Sequence, residues 1–225
     1  IRVLKLRNFP QESLRCFASA RSAGKQIEVE GLFHEVEEVS AEIFEELDLA
    51  FFATSSAISR ELAPLAVSRQ CVVIDCSSAF RQDPDVPLVI PEINPDAARR
   101  HKGILGNPNC SIAITLMGLF PLHKAFGLTR VICSTYQAVS GAGLEAMREL
   151  DAQVRAWSEG IQGPEPSAFP GHAIAFNLIP QVDVFGEDGY SGEERKMLNE
   201  ARKILDFPEL KLSATCVRVP VFRAH

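Results

Sequence analysis

The 225-residue sequence predicts an α/β protein with an open, largely parallel sheet in its first half. There, short apolar runs that are typical of strands alternate with helical patterns, and this alternation implies parallel strands joined by right-handed crossovers. Hydrophobic residues make up 46% of the chain and charged residues 23%, which is the composition of a globular protein. The length allows one large core or two modest ones.

The elements of the first half are predicted from the spacing of apolar residues. Strands are expected at residues 14–18, 49–54 and 72–75, and helices at residues 41–47 and 56–67. Ligands bind in the crevice outside the carboxyl ends of such strands. The polar residues that follow the strands, at 19–22, 54–56 and 76–78, are therefore the first candidates for a binding site.

A proline-rich passage at residues 84–95 and a short helix at 96–101 separate this half from the next. The helix that begins near Ser111 is apolar on nearly every side and is predicted to be buried. A strand-like run at 130–139, an amphipathic helix at 144–157 and a loop rich in glycine and proline at 160–180 come next. A charged helix at 192–205 and a strand at 211–219 complete the prediction.

The composition argues against several classes of function. A net charge of −6 and a pI near 5.5 disfavour nucleic-acid binding, and no apolar run is long enough to cross a membrane. The six cysteines include no CxxC pair and no cluster with zinc-ligand spacing, so no metal site is predicted. Most of them lie in apolar runs, which suits a reducing, cytoplasmic location. Small-molecule chemistry is the class that we expect.

Cys110 is the cysteine whose setting suggests chemistry. The preceding Asn107, Pro108 and Asn109 force a turn, and Cys110 would then stand at the amino end of the next helix. Free backbone N–H groups and the helix dipole stabilise a thiolate at that position. A packed thiol fits the same residues, because free cysteine is among the most buried residue types. From these residues alone both interpretations stay open.

Three longer motifs carry a resemblance to one family. They are Gly-Asn-Pro-Asn-Cys-Ser at 106–111, Thr-Tyr-Gln-Ala-Val-Ser-Gly-Ala-Gly at 135–143, and Val-Arg-Val-Pro-Val-Phe-Arg-Ala-His at 217–225. Together they resemble the aspartate-β-semialdehyde dehydrogenases. Supporting stretches at 7–10, 18–24, 75–81, 86–92 and 176–180 fit the same family in the same order, so the resemblance covers essentially the whole chain.

The resemblance implies the domain organisation. It implies a truncated, doubly wound (Rossmann-like) cofactor domain at residues 1–107, followed by an α/β catalytic and dimerisation domain with a mixed sheet at 108–225. The sequence opens on Ile1 and contains no GxGxxG or P-loop motif. We therefore expect a fragment that lacks the first strand and glycine-rich loop of the cofactor domain and also a C-terminal part.

The resemblance also implies a reaction. Cys110 would attack the semialdehyde carbon, a hydride would leave to NADP, and phosphate would cleave the thioester to give aspartyl phosphate, with the reverse direction serving amino-acid biosynthesis. A thioester suits this chemistry because it keeps the energy of aldehyde oxidation available for phosphorolysis. His225 matches the acid/base histidine of the family, and Gln137 matches the glutamine that positions the intermediate.

The implied substrate contacts involve five further residues. Arg218 matches the arginine that clamps the substrate carboxylate, a task that suits a bidentate guanidinium. Glu193 and Lys196 are three apart on one helix face and match the pair that serves the amino group and the phosphate, although an isolated pair of this kind is usually a solvated salt bridge. Arg81 and Asn109 match phosphate-site residues, with Ser78 as a weaker candidate.

The implied cofactor contacts lie after the predicted strands. Ser19, Arg21 and Ser22 follow the strand at 14–18 where an acidic residue would grip a free ribose hydroxyl, so this loop favours NADP over NAD. The remaining matches to dinucleotide contacts are Thr54, Ser55, Ser140 and Gly141.

The implied partners are a small-molecule substrate, inorganic phosphate and a second copy of the chain, in a homodimer or homotetramer. Two alternatives stay open. One is N-acetyl-γ-glutamyl-phosphate reductase, which uses a cysteine and a histidine in the same roles on an acyl-phosphate substrate. The other is a non-catalytic, oligomeric paralogue, which should have lost one or more of Cys110, Gln137, Arg218 and His225; all four are present.

Overall fold

The computed structural model describes residues 1–29, 31–169 and 171–225, and it confirms the α/β class. The helices are α1 (Arg2–Leu6), α2 (Ser56–Ser68), α3 (Pro95–Ala98), α4 (Cys110–Phe126), α5 (Leu144–Glu159) and α6 (Gly192–Ile204). The strands are β1 (Cys16–Ala18), β2 (Gln26–Val29), β3 (Leu32–Glu38), β4 (Leu49–Phe52), β5 (Val72–Asp75), β6 (Ile104–Gly106), β7 (Val131–Gln137) and β8 (Leu212–Arg218). Short 3₁₀ helices occupy Glu42–Glu46 and Val139–Ala142.

The first half carries two three-stranded sheets. Strands β4, β5 and β6 run parallel, while β3 pairs in parallel with β1 and antiparallel with β2. Helix α2 starts directly after β4 because the Ser55 hydroxyl accepts a hydrogen bond from the Ile58 N–H and so caps the helix. Ser55 therefore stands at the carboxyl end of a parallel strand, where ligands of α/β sheets bind.

In the second half, strands β7 and β8 form a parallel ladder from Val131 opposite Leu212 to Gln137 opposite Arg218. Ile179 adds an antiparallel bridge to Arg218, so the pairing in this half is mixed, as predicted. The register has a functional consequence. It sets Gln137 and Arg218 side by side at the carboxyl end of the ladder.

In the part of the chain that the structure describes, three apolar clusters hold these elements. The largest joins α4, α6, β7 and β8 through residues such as Leu116, Met197 and Cys216. Burial raises the pKa of the Cys216 thiol to about 11, which marks it as a packed thiol. A second cluster packs α2 against β4 and β5, and a third packs α5 against the segment around Ile174.

Several predicted elements need correction. The hairpin of β2 and β3 was not predicted, because its apolar residues do not mark one buried face: Ile27, Leu32 and Phe33 are exposed, whereas Val36 is buried. The helix expected at 41–47 is a 3₁₀ helix at Glu42–Glu46, a single turn that buries Phe44. The helix expected at 96–101 is α3, one turn that starts at a proline. The three-residue strand β6 was also not predicted.

Helix α4 is not buried on every side, contrary to the prediction. One face packs Ile112 and Leu116 into the core, but Ile114 is 55% exposed and Phe126 is 85% exposed. The helix is apolar all round, whereas the described residues pack against only one of its faces. The prediction of burial on every side was therefore wrong, because the composition of a helix does not show which neighbours it has.

Buried polar groups of α5 hold the loop that follows this helix. Glu149 Oε2 accepts hydrogen bonds of 2.8 Å from the Ser167 N–H, the Ser167 hydroxyl and the Ala168 N–H. Gln153 Oε1 accepts from the N–H groups of Ile174 and Ala175. Burial acts to raise the pKa of Glu149, but these donors outweigh it and the pKa is lowered.

Replacing Glu149 by glutamine is expected to lower the free energy of unfolding at pH 7 by about 1–3 kcal/mol, because charged acceptors bind their donors more strongly. The depressed folded-state pKa means that Glu149 stabilises the fold above its unfolded pKa and loses this effect as the pH falls through the folded value. Denaturant unfolding of E149Q should therefore show a deficit that shrinks on acidification. The matched control is Glu145→Gln, an exposed carboxylate on the same helix whose loss should cost little at any pH.

Candidate active site

The turn before α4 builds the amino end of the helix as the sequence predicts. Asn109 is the N-cap: its Oδ1 accepts hydrogen bonds from the Ser111 N–H at 2.8 Å and the Ile112 N–H at 3.2 Å. Cys110 is the first residue of the helix and is exposed. The Ser111 and Ile112 N–H groups were expected to be free to face the thiol, but they donate to the cap. The helix end would therefore stabilise a thiolate mainly through the helix dipole and less through free N–H donors.

His225 contacts the Cys110 thiol directly. Its Nε2 lies 3.1 Å from Sγ, and its Nδ1 lies 3.1 Å from the Ala138 nitrogen and 2.9 Å from the Ala224 oxygen. When Nδ1 accepts from the Ala138 N–H, the ring proton sits on Nε2 and can be donated to a thiolate. When Nδ1 donates to the Ala224 oxygen, Nε2 is free to accept the thiol proton. Either tautomer therefore suits proton exchange with Cys110.

Gln137 lies at the centre of a buried polar network and is 1% exposed. Its amide nitrogen donates to the Ser111 hydroxyl at 2.7 Å and to Glu193 Oε1 at 2.8 Å. Asn109 Nδ2 donates to the same Glu193 oxygen at 2.9 Å. The network ties the start of α4 to β7 and α6, so the residues on either side of Cys110 are held in place.

Arg218 is the buried cation of the site and is 5% exposed. One guanidinium nitrogen donates to the Ala138 oxygen at 2.7 Å, while Nε is buried without a hydrogen-bond partner among the described residues. Burial lowers the pKa of Arg218, and Glu193 is the leading opposing charge. A Cβ on Gly141 would lie 2.9 Å from the guanidinium and 3.6 Å from the His225 ring. Gly141 thus leaves room for both side chains to converge.

Glu193 and Lys196 share one face of α6, as predicted, but they are not each other's main partners. The Lys196 Nζ lies 2.6 Å from Asp183 Oδ2 and 3.9 Å from Glu193 Oε2. This lysine holds the pKa of Asp183 below its usual range. A Cβ on Gly192 would come within 2.5 Å of the Asp183 carboxylate, so the first residue of α6 allows this close approach.

Arg81 reaches the second half of the chain. Its guanidinium lies 3.1 Å from Glu200 Oε1 and donates to the Cys76 oxygen at 3.1 Å. Glu200 Oε2 in turn accepts from the Asn109 N–H at 2.7 Å. The weaker candidate Ser78 lies apart from this group and pairs with the Ser56 hydroxyl. The predicted phosphate residues Arg81 and Asn109 are thus brought together through a shared carboxylate.

The predicted cofactor residues lie at three separate places. Ser19, Arg21 and Ser22 follow β1, and Thr54 and Ser55 follow β4. Ser140 and Gly141 belong to the 3₁₀ helix beside Arg218. Across residues 1–29, 31–169 and 171–225, no hydrogen bond joins these groups to one another. The loop after β1 fits a 2′-phosphate in its chemistry, since it offers an exposed guanidinium and two hydroxyls and no carboxylate.

Four contributors were missed in the sequence. Ser111 anchors Gln137, the Ala138 backbone binds both Arg218 and His225, Asp183 holds Lys196, and Glu200 joins Arg81 to Asn109. Only Glu200 left a signal, since it shares the apolar stripe of α6 with Met197 and Ile204, where an acid is unusual. In the described part of the chain, no group of three or more potential ligands could hold a metal, and no helix is long and apolar enough to cross a membrane.

Fold and site together define a class: an α/β protein with a sheet of the dinucleotide-binding type, followed by a domain that presents a cysteine–histidine pair. Family comparison gives the particular family. Residues 1–101 match "Semialdehyde dehydrogenase, NAD binding domain" and residues 119–225 match "Semialdehyde dehydrogenase, dimerisation domain". The chain belongs to the semialdehyde dehydrogenase family.

Individual relatives agree with this assignment. The chain is 48% identical to aspartate-semialdehyde dehydrogenase of Aquifex aeolicus and 46% identical to that of Bacillus subtilis, with 100% of this chain and 67% and 66% of those proteins covered. Among solved structures, aspartate semialdehyde dehydrogenase II of Vibrio cholerae superposes with a TM-score of 0.94 at 40% identity, covering 98% of this chain and 66% of that one. The chain thus spans about two thirds of the length of these relatives.

Proposed function

We propose that the parent protein interconverts aspartate semialdehyde and aspartyl phosphate, with NADP as the redox partner, in amino-acid biosynthesis. The observation that carries this proposal is the 3.1 Å contact between Cys110 Sγ and His225 Nε2 at the start of α4, beside the buried Arg218 guanidinium. A nucleophile, an acid/base and a carboxylate-binding cation are the three groups that the reaction needs. The relatives that cover the whole chain bear the name of this enzyme, and one solved structure of the Vibrio cholerae protein contains its semialdehyde.

The chemistry begins when the Cys110 thiolate forms a bond to the aldehyde carbon while His225 gives a proton to the developing alkoxide. His225 then removes that proton as the carbon is oxidised to a thioester. A phosphate oxygen next attacks the thioester carbonyl, the carbon–sulfur bond breaks, and the Cys110 thiolate leaves. The products are aspartyl phosphate and the regenerated thiolate.

NADP, when bound, supplies the two-electron acceptor for the oxidation. Ser19, Arg21 and Ser22 would hold its 2′-phosphate, and their charge and hydroxyls support NADP over NAD. Thr54, Ser55, Ser140 and Gly141 would make further contacts. A homologous structure from Candida albicans, with a TM-score of 0.68 and 25% identity, contains NADP.

The polar groups around Cys110 support a substrate with a free amino group. Arg218 would bind the α-carboxylate, with guanidinium donors beyond the one that the Ala138 oxygen uses. Glu193 Oε1 accepts from Gln137 and Asn109, whereas Oε2 has, among the described residues, only the 3.9 Å contact with Lys196 and can take the ammonium. An acetylated amine carries no charge and would leave Glu193 Oε2 without a cation at hydrogen-bond distance, which disfavours an N-acetylated glutamate substrate.

The deciding experiment is a substrate comparison on the full-length protein. With NADP and phosphate, we expect turnover of aspartate semialdehyde with kcat/KM at least about 10³-fold above that of N-acetyl-glutamate semialdehyde, because a site built for a charged group discriminates strongly. NAD should serve less well than NADP. The opposite substrate preference would assign the protein as an N-acetyl-γ-glutamyl-phosphate reductase, and loss of both activities would point to a non-catalytic paralogue.

The proposed domain boundary stays at residue 107, between a cofactor domain at 1–107 and a catalytic domain at 108–225. The dimerisation-domain match supports an oligomer, and we propose a homodimer or homotetramer in the cytoplasm. The outer face of β7 is apolar and exposed at Ile132 and Tyr136, which suits a contact between two copies.

A further inference from the structure

Glu200 is a carboxylate that the mechanism above does not use, although it is 1% exposed and touches the site. It lies on the core-facing side of α6. Both of its oxygens accept hydrogen bonds, one from the Arg81 guanidinium at 3.1 Å and the other from the Asn109 N–H at 2.7 Å. A buried acid with two well-placed donors is costly to desolvate, so its position needs a reason.

An ionised carboxylate is the form that suits both partners of Glu200 best, because each of them donates to a different oxygen. Burial raises the pKa of Glu200, while the charge of Arg81 and the Asn109 N–H oppose that rise. The three groups therefore depend on one another. Turning one of its oxygens into a donor would leave either the Arg81 nitrogen that faces it or the Asn109 N–H without this acceptor, while a second Arg81 nitrogen keeps the Cys76 oxygen.

A second contact holds the same loop to α6. Lys203, one turn after Glu200, donates from Nζ to the backbone oxygens of Arg81, Asp83 and Val86 at 2.8, 2.6 and 2.7 Å. The loop that follows β5 is thereby attached to α6 at two points. One is the ion pair of Arg81 with Glu200, and the other is the set of hydrogen bonds from the Lys203 side chain to backbone oxygens of the loop. The position of Arg81 is set by a helix of the second half of the chain.

We propose that Glu200 is a positioning residue of the active site. It aims the Arg81 guanidinium at the phosphate that attacks the thioester, and it fixes the turn of Asn109 that presents Cys110. This inference rests on the proposed function, since it assigns Arg81 to the phosphate of that reaction. Glu200 touches neither substrate nor cofactor and acts through these two neighbours.

The test compares Glu200→Gln with wild type in the full-length protein. Glutamine keeps the size but offers one acceptor and one donor in place of two acceptors. The KM for phosphate should rise about tenfold or more, the effect of losing a charged hydrogen bond, while the KM for the semialdehyde stays within about twofold. In an Arg81→Gln background, where the guanidinium is already absent, E200Q should raise the phosphate KM by clearly less than it does in wild type, because only the Asn109 contact is then left to lose.

The matched control is Glu194→Gln. Glu194 is also buried on α6, but it accepts from the Ser191 and Cys216 N–H groups and contacts neither Arg81 nor Asn109. Equal phosphate KM values in E200Q and E194Q, or full additivity with R81Q, would overturn the inference. If E200Q is too unstable to assay, Glu200→Asp retains the charge with a shorter reach and should also raise the phosphate KM above that of E194Q.

Both semialdehydes are assayed with every variant, which separates the two proposals. Turnover of only the acetylated substrate overturns the proposed function, and the phosphate KM measured with that substrate still decides the role of Glu200. An absence of phosphate-dependent turnover with either substrate overturns both.

Discussion

Replacing Cys110 by alanine in the full-length protein is expected to lower kcat by about 10³-fold or more, because the thiol that contacts His225 and would form the thioester is then absent. The structure puts this thiol at the exposed first position of α4, in contact with His225. Formation of NADPH from aspartate semialdehyde and phosphate measures the effect. Mass spectrometry should find an acyl group on the Cys110 peptide of wild type when phosphate is omitted, and none on C110A.

Cys133→Ala is the matched control for Cys110. Cys133 lies on β7, and burial raises the pKa of its thiol. This thiol donates to the backbone oxygen of Ser213, which is not a site residue. Its loss should affect stability modestly and leave kcat within about twofold of wild type. A C110A variant that retains more than a tenth of the activity would exclude covalent catalysis by this residue, whatever family the chain belongs to.

The site residues that the sequence predicted best are those whose positions depend only on local structure. The turn of Asn109 and the start of α4 are local, so the position of Cys110 could be derived from a few neighbouring residues. The strands with apolar runs, such as β5 and β8, were found for the same reason. Convergence of Gln137, Arg218 and His225 was different, because it depends on the parallel register of β7 and β8 and came only from the family resemblance.

What the sequence did not show depends on contacts between distant segments. Glu200 lies 119 residues from Arg81 and 91 from Asn109, and no local pattern predicts which partners a buried acid will find. The hairpin of β2 and β3 was hidden for another reason. These strands expose most of their side chains, among them the apolar Ile27 and Phe33, so their apolar residues do not alternate in the way that predicts a strand.

Replacing His225 by asparagine in the full-length protein should lower kcat by about 10²–10⁴-fold, the usual range for loss of a general acid/base. The variant keeps Cys110, so thioester chemistry remains possible but slow. Two readouts separate proton transfer from packing. The pH profile of kcat should change, and alkylation of Cys110 near neutral pH should slow, because Nε2, which lies 3.1 Å from Sγ, no longer stabilises the thiolate or receives its proton.

The control is His101→Asn, an exposed histidine in the turn after α3 that should leave activity unchanged. An H225N variant with an unaltered pH profile would show that another group exchanges the proton. The contacts of the Ala138 backbone argue against such a result. Its N–H contacts the ring of His225, and its oxygen accepts from Arg218. The residue that follows β7 therefore orients both the proposed acid/base and the proposed carboxylate-binding cation beside the same thiol.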